Sequence, residues 1–172
     1  TTDNGGTVTV QPVSNADVKT LMDSGALDAA IVPEPWGSIL ENEIGAKVFL
    51  DWREVWRDGD YSTSVVVTTK DFLEAHPDVV EKFVETHLET TDYINTNLEG
   101  AKEIVNKEIE AATQKSFAPE ILDSAFARLS FNAEISYDSI KEFAKIYQKH
   151  GFIEKLPEEN LFADESLRKV MK

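Results

Sequence analysis

Apolar and polar residues follow two different periods along this chain, and the change falls near residue 70. Before it, the apolar runs are short and punctuated. Val8 and Val10 stand two apart ahead of Pro12, which predicts a strand over 7–13 that is ending. Ser14-Asn15 is a helix start, Val18, Leu21 and Met22 follow at helical spacing, and Gly25 is the stop. Leu27 to Val32 is almost continuously apolar and predicts a strand covered on both faces. Pro33-Glu34-Pro35-Trp36 interrupts it. Pro35 suits the first turn of a helix carrying Ile39, Leu40 and Ile44 and ending at Gly45. Ala46 to Leu50 predicts another strand, and Ser64 to Thr68, with three consecutive valines, carries the strongest strand signal of all.

Between those last two runs, residues 51–61 place Trp52 and Trp56 among charges and read as a surface or cleft loop. After residue 70 the period is helical. A short turn spans Lys70 to Ala75. Pro77 opens a helix with Val80, Phe83, Val84, His87, Leu88, Thr91 and Ile94 on one face. Ala101, Ile104, Val105 and Ile109 mark the next, and Pro119 opens one with Ile121, Leu122, Ala125, Phe126 and Leu129. Ser136 caps another, carrying Ile140, Phe143, Ala144 and Tyr147, with Gly151 as its stop. A last short helix is expected over Asp164 to Met171. Strand, helix, strand, helix, strand over 7–50 is the pattern of an α/β layer with a parallel sheet. The predicted fold class is therefore α/β, a sheet layer followed by a helical C-terminal segment.

Composition narrows the function. Acidic residues outnumber basic ones 32 to 17 in 172 residues, a net charge of −15. Such a field repels phosphate backbones and anionic membrane surfaces, so nucleic acid is not an expected partner. The absence of cysteine removes disulfides, thiolate metal sites and cysteine nucleophiles. No apolar run approaches the roughly 18–20 residues that cross a bilayer, and the polar start Thr1-Thr2-Asp3-Asn4-Gly5-Gly6 is no signal peptide.

At Asp28-Ala29-Ala30-Ile31-Val32-Pro33-Glu34-Pro35-Trp36 the chain resembles the solute-binding proteins of ABC importers in the nitrate, sulfonate and taurine group, relatives of the thiamine-precursor binders. Further matching stretches follow in order: Gly45 to Asp51, Tyr61 to Val67, Phe72-Leu73-Glu74-Ala75-His76-Pro77-Asp78, and Glu120 to Leu129. The resemblance implies a two-lobed periplasmic-binding-protein fold of type II, of which this chain covers only the second half. Residues 1–60 would be the remainder of the second α/β lobe, and residues 61–172 the hinge strand and a helical part returning to the first lobe. It also implies a small-molecule ligand, ABC permease subunits as partners, no cofactor, and a periplasmic or extracellular, membrane-anchored location. With one wall of the cleft absent, the expectation is self-association of the piece and little or no affinity for the ligand.

The ligand residues implied are Glu34, Pro35 and Trp36, at a strand end and helix start where open α/β sheets bind ligands, and Ser62 and Thr63 at the hinge strand. Each has a plainer reading. Glu34-Pro35-Trp36 is also an ordinary helix start with a packing tryptophan, and Ser62 and Thr63 are ordinary strand residues. Trp52 and Trp56 read either as a cleft rim or as packing under their loop. His76, His87 and His150 lack metal-ligand spacing. With 32 carboxylates, pairs such as Asp28 with Glu34 or Asp51 with Glu54 arise by chance. No nucleophile elbow, P-loop or dinucleotide fingerprint is present, so binding is expected rather than catalysis. The alternatives are a pyrimidine-binding protein or enzyme on the same scaffold, and a helical interaction domain without a small ligand.

Overall fold

A computed structural model describes residues 5–158, 161 and 162. The helix expected over Asp164 to Met171 lies outside the described residues. Within them every other expected helix is present: α1 (Asn15–Asp23), α2 (Trp36–Ile44), α4 (Lys70–Ala75), α5 (Pro77–Thr96), α6 (Leu98–Thr113), α7 (Pro119–Arg128) and α8 (Tyr137–Lys149). The loop expected at 51–61 folds into a one-turn helix, α3 (Trp52–Val55), and a 3-10 turn at Arg57–Gly59.

The ends follow local chemistry. Pro77 and Pro119 occupy the first turns of α5 and α7, where no backbone donor is lost. The Thr69 hydroxyl accepts from the Phe72 amide at 3.2 Å and caps α4. The Asp51 carboxylate does the same for α3 through the Arg53 amide at 3.0 Å. Gly45 closes α2 at φ 67°, a left-handed conformation that a side chain would strain, and lets the Ala46 amide reach the Leu40 carbonyl at 3.1 Å. Two expected caps bond elsewhere. The Ser14 hydroxyl donates to Asp17, and Ser136 donates to the Asp60 carboxylate at 3.0 Å, so neither hydroxyl caps its helix backbone.

The α/β expectation is overturned: among the described residues there is no strand and therefore no sheet. The stretches 7–13, 27–32, 46–50 and 64–68 carry no regular secondary structure. Most of their apolar side chains are exposed, Val65 at 48%, Phe49 at 91% and Ile31 fully, while Val13, Leu27 and Val32 are half-buried. The reason is that a strand, unlike a helix, satisfies its backbone only through a neighbouring chain segment. β-propensity measures fit to an already formed pleated surface. None of these four stretches meets another in register, so the propensity has nothing to act on.

The chain divides into two compact units, Thr1–Val48 with Val105–Ser130, and Phe49–Ile104 with Phe131–Lys172, the boundary at 104/105 falling inside α6. In the first, α2 packs against α1 and α7. Val18, Ile39, Leu40, Ile121, Leu122, Ala125 and Phe126 are buried there, the apolar stripes read from the sequence. The loop before α7 is tied back to α6 by a reciprocal pair of bonds. Asn106 donates to the Phe117 carbonyl at 3.0 Å and accepts from the Phe117 amide at 2.8 Å.

The second unit is held by aromatic packing. Trp56 meets Phe143 of α8 edge-on at 4.0 Å between ring centres, and Tyr61 lies 6.3 Å from Trp52 and 6.0 Å from Trp56. Phe143 continues to Tyr147 at 5.9 Å, and Tyr147 to Phe152 at 5.5 Å. Such ring pairs contribute about 0.5–1.5 kcal/mol each beyond area burial. Around them, Arg57 donates to Glu142 at 2.8 Å and Trp56 Nε1 donates to the same carboxylate at 3.4 Å.

Candidate ligand site

The start of α2 gathers three of the residues expected at the site. Pro33 and Pro35 break the preceding run, and the Trp36 amide turns back to the Pro33 carbonyl at 3.0 Å. Glu34 sits four residues before Ser38, one helical turn, so its carboxylate folds over the first turn of α2. There it accepts from the Ser38 amide at 3.0 Å and the Ser38 hydroxyl at 2.7 Å. Ser38 is fully buried. The negative charge lies at the positive end of the helix dipole, where it is stabilising.

A cation from the far end of the same unit completes this arrangement. Arg128, the last residue of α7, donates through Nη1 to Glu34 at 2.9 Å and through Nη2 to Glu41 of α2. The Glu34 side chain is 11% exposed and that of Arg128 is 29% exposed. Partial burial acts to lower the Arg128 pKa, but hydrogen bonds to Glu41 and Glu34 outweigh it and hold the guanidinium above its ordinary value. Gly37 makes room for the arrangement: a Cβ there would stand 2.9 Å from the Glu34 Oε1 and 3.7 Å from the Arg128 Nη1.

An incoming anion therefore does not meet a bare helix start. The chain's own carboxylate already takes the Ser38 donors, and Arg128 offsets its charge. Trp36, half-buried at the first position of α2, presents the aromatic surface at this place. Ser62 and Thr63 belong to the other unit, where Ser62 is half-buried and Thr63 exposed. Glu34, Pro35 and Trp36 are thus neighbours within one unit, and the two hydroxyls are placed by a different one.

Trp52 and Trp56 pack under their loop. The Trp52 ring lies so close over Gly59 that a Cβ there would fall 1.9 Å from it, and the Arg53 guanidinium stands 5.5 Å from the Trp52 ring centre. His76 joins α4 to α5 with its ring 4.9 Å from Phe72, His87 stacks on Phe83 at 6.2 Å, and His150 follows the last turn of α8. Among the described residues no three His, Asp or Glu side chains are grouped to hold a metal ion, and no helix is long and apolar enough to cross a membrane. Two shallow depressions lie elsewhere. One is lined by Pro12, Val13, Ser14, Asp17, Thr20 and Leu21, the other by Asp78, Val79, Lys82, Phe83 and Thr86.

Sequence reasoning did not find Ser38, Glu41 or Arg128. The four-residue spacing of Glu34 and Ser38 was available as a signal, since it is the spacing of a helical turn. Nothing local pointed to Arg128, 94 positions from Glu34.

Residues 3–108, more than half of the chain, match the model of the NMT1-like family. The chain belongs to that family. The family lies within the superfamily of nitrate-, sulfonate- and taurine-binding proteins of ABC transporters. The matched span takes in Glu34, Pro35, Trp36, Ser62 and Thr63 and ends before Arg128. No curated protein and no solved structure matches the chain.

Proposed function

We propose that this chain is the solute-binding component of an ABC importer, acting outside the cytoplasm and binding a small ligand of the nitrate, sulfonate or taurine kind, without catalysis. The observation that carries the reading is the family match over residues 3–108, which includes every ligand residue expected from the sequence. In this reading Trp36 supplies an aromatic wall, as small-molecule sites commonly have. Pro35 sets the start of the helix that presents it.

The start of α2 offers an anion no free donors, since Ser38 already gives its amide and hydroxyl to Glu34. Arg128 is shared by Glu34 and Glu41 and offsets one of their two charges, so in this reading the ligand contact here is the Trp36 ring. The permease subunits of the importer are the protein partners this reading requires.

Calorimetric titration of the chain with nitrate, taurine and a short alkanesulfonate, up to millimolar concentration, tests the proposal. The expected result is weak, saturable heat with at least one of them, abolished by Trp36→Ala with the helical circular dichroism preserved. No saturable heat with any of the three, or binding that Trp36→Ala leaves unchanged, overturns it.

A further inference from the structure

The turn Pro33-Glu34-Pro35-Trp36 decides where the Trp36 ring stands. Its prolines stiffen it but have no amides to fasten it to a neighbour. The Trp36 amide reaches the Pro33 carbonyl at 3.0 Å, and the Pro35 carbonyl accepts from the Ile39 amide at 2.9 Å. Both bonds stay within the turn and the helix it opens. The ring is not anchored through its own edge. Among the described residues no hydrogen bond uses its indole N–H and no aromatic ring stacks on it. Trp56, by contrast, donates to Glu142 and packs on Phe143, and Trp52 meets Tyr61.

The fastening comes from the Glu34 side chain. Two of its bonds, from the Ser38 amide and hydroxyl, close on the same turn of α2. The third, from Arg128 at 2.9 Å, is the one hydrogen bond among the described residues that joins residues 33–36 to another element. Arg128 is itself well placed to hold them. It ends α7, which packs against α2 and buries Ile121, Leu122, Ala125 and Phe126. Its guanidinium is gripped on a second nitrogen by Glu41. A planar fork shared by two carboxylates has a fixed orientation, which the single ammonium of a lysine would not reproduce.

We propose that Arg128 is a positioning residue for the ligand site: through Glu34 it fixes the turn that aims the Trp36 ring. That the aimed ring meets a ligand rests on the function proposed above; that Arg128 sets the position of the ring does not. Arg128 lies beyond the residues that match the family model, and its role follows from the packing of α7 on α2.

Fluorine NMR of the chain labelled with fluorotryptophan tests this, with one signal for each of the three tryptophans, assigned by replacing each with phenylalanine. Arg128→Met should shift the Trp36 signal and leave those of Trp52 and Trp56, which belong to the other unit, in place. Those two signals report folding in the same spectrum. Arg128→Lys, which keeps the charge and loses the fork, should shift Trp36 alone and by less, and it carries the test should Arg128→Met not fold. In a Glu34→Ala background Arg128→Met should have little further effect, because the link is already cut. A Trp36 signal that neither Arg128 variant moves, or that Arg128→Met moves equally in both backgrounds, would overturn the proposal. Titration with nitrate, taurine and a short alkanesulfonate separates the two claims. Heat in the wild type that Arg128→Met weakens supports both, and heat that it leaves unchanged overturns a role for Arg128 at the site. Absence of heat in the wild type overturns the ligand reading, and the fluorine shifts still decide whether Arg128 sets the ring.

Discussion

Glu34 shows how one side chain takes its role from its neighbours. Its carboxylate bridges the first turn of α2 to the last residue of α7, with Ser38 and Arg128 as donors. Removing Arg128 leaves two partly buried carboxylates without their cation. Arg128→Met should therefore lower stability by about 1–3 kcal/mol, less than a fully buried pair because Arg128 keeps some exposure. Thermal melts followed by circular dichroism measure it, and an unchanged melting point would mean the contact contributes nothing net. Gly37 supplies a second test. An exposed helical glycine replaced by alanine normally gains about 0.8–1 kcal/mol. Here the new Cβ would displace the Glu34 carboxylate, so Gly37→Ala should gain little or lose stability. In a Glu34→Ala background the same change should recover the ordinary gain. Equal effects in both backgrounds would show that Gly37 and Glu34 are not coupled.

At the scale of elements, the second unit joins the 51–61 segment to α8 through Trp56, Arg57 and Glu142. Hydrogen bonds from Arg57 and then from Trp56 hold the Glu142 carboxyl below its usual value, against a weaker opposing effect of desolvation. A carboxylate depressed on folding contributes stability that is present above its unfolded pKa and is lost as pH falls through the folded one. Tryptophan fluorescence should therefore report looser packing of Trp56 on Phe143 as pH falls below the ordinary glutamate range, about 4.3. Glu142→Gln should weaken that pH dependence, and a fluorescence profile identical to wild type would argue against the link. In the first unit the reciprocal bonds between Asn106 and Phe117 hold the loop that enters α7. Asn106→Ala should cost about 1–3 kcal/mol, because it leaves half-buried backbone groups unpaired. A melting point within error of wild type would show that the loop is satisfied by solvent instead.

For the whole molecule, the net charge of −15 is the dominant long-range term. Raising ionic strength from about 0.01 to 0.15 M shortens the screening length from about 30 to 8 Å. The repulsion it relieves should exceed what the exposed ion pairs lose, since such pairs are worth little. The melting temperature should rise with sodium chloride over that range, and a fall would mean that attractive pairs dominate.

The helices were legible because each is decided within its own few turns. Backbone bonds four residues apart, a proline at the first turn of α5 and α7, and glycine after α1, α2 and α8 are all local, and the stripes that became buried in α2 and α7 follow from period alone. The strands were misread for the opposite reason. Val65-Val66-Val67 has the side chains of a strand, but a ladder needs a second segment alongside, and sequence preference carries no information about whether one is there. The site divides along the same line. Pro33 and Pro35 placed Glu34 and Trp36 at a helix start by local rules. That the Glu34 carboxylate would be held by a guanidinium 94 positions away was decided only when α7 packed against α2 and brought Arg128 within 2.9 Å.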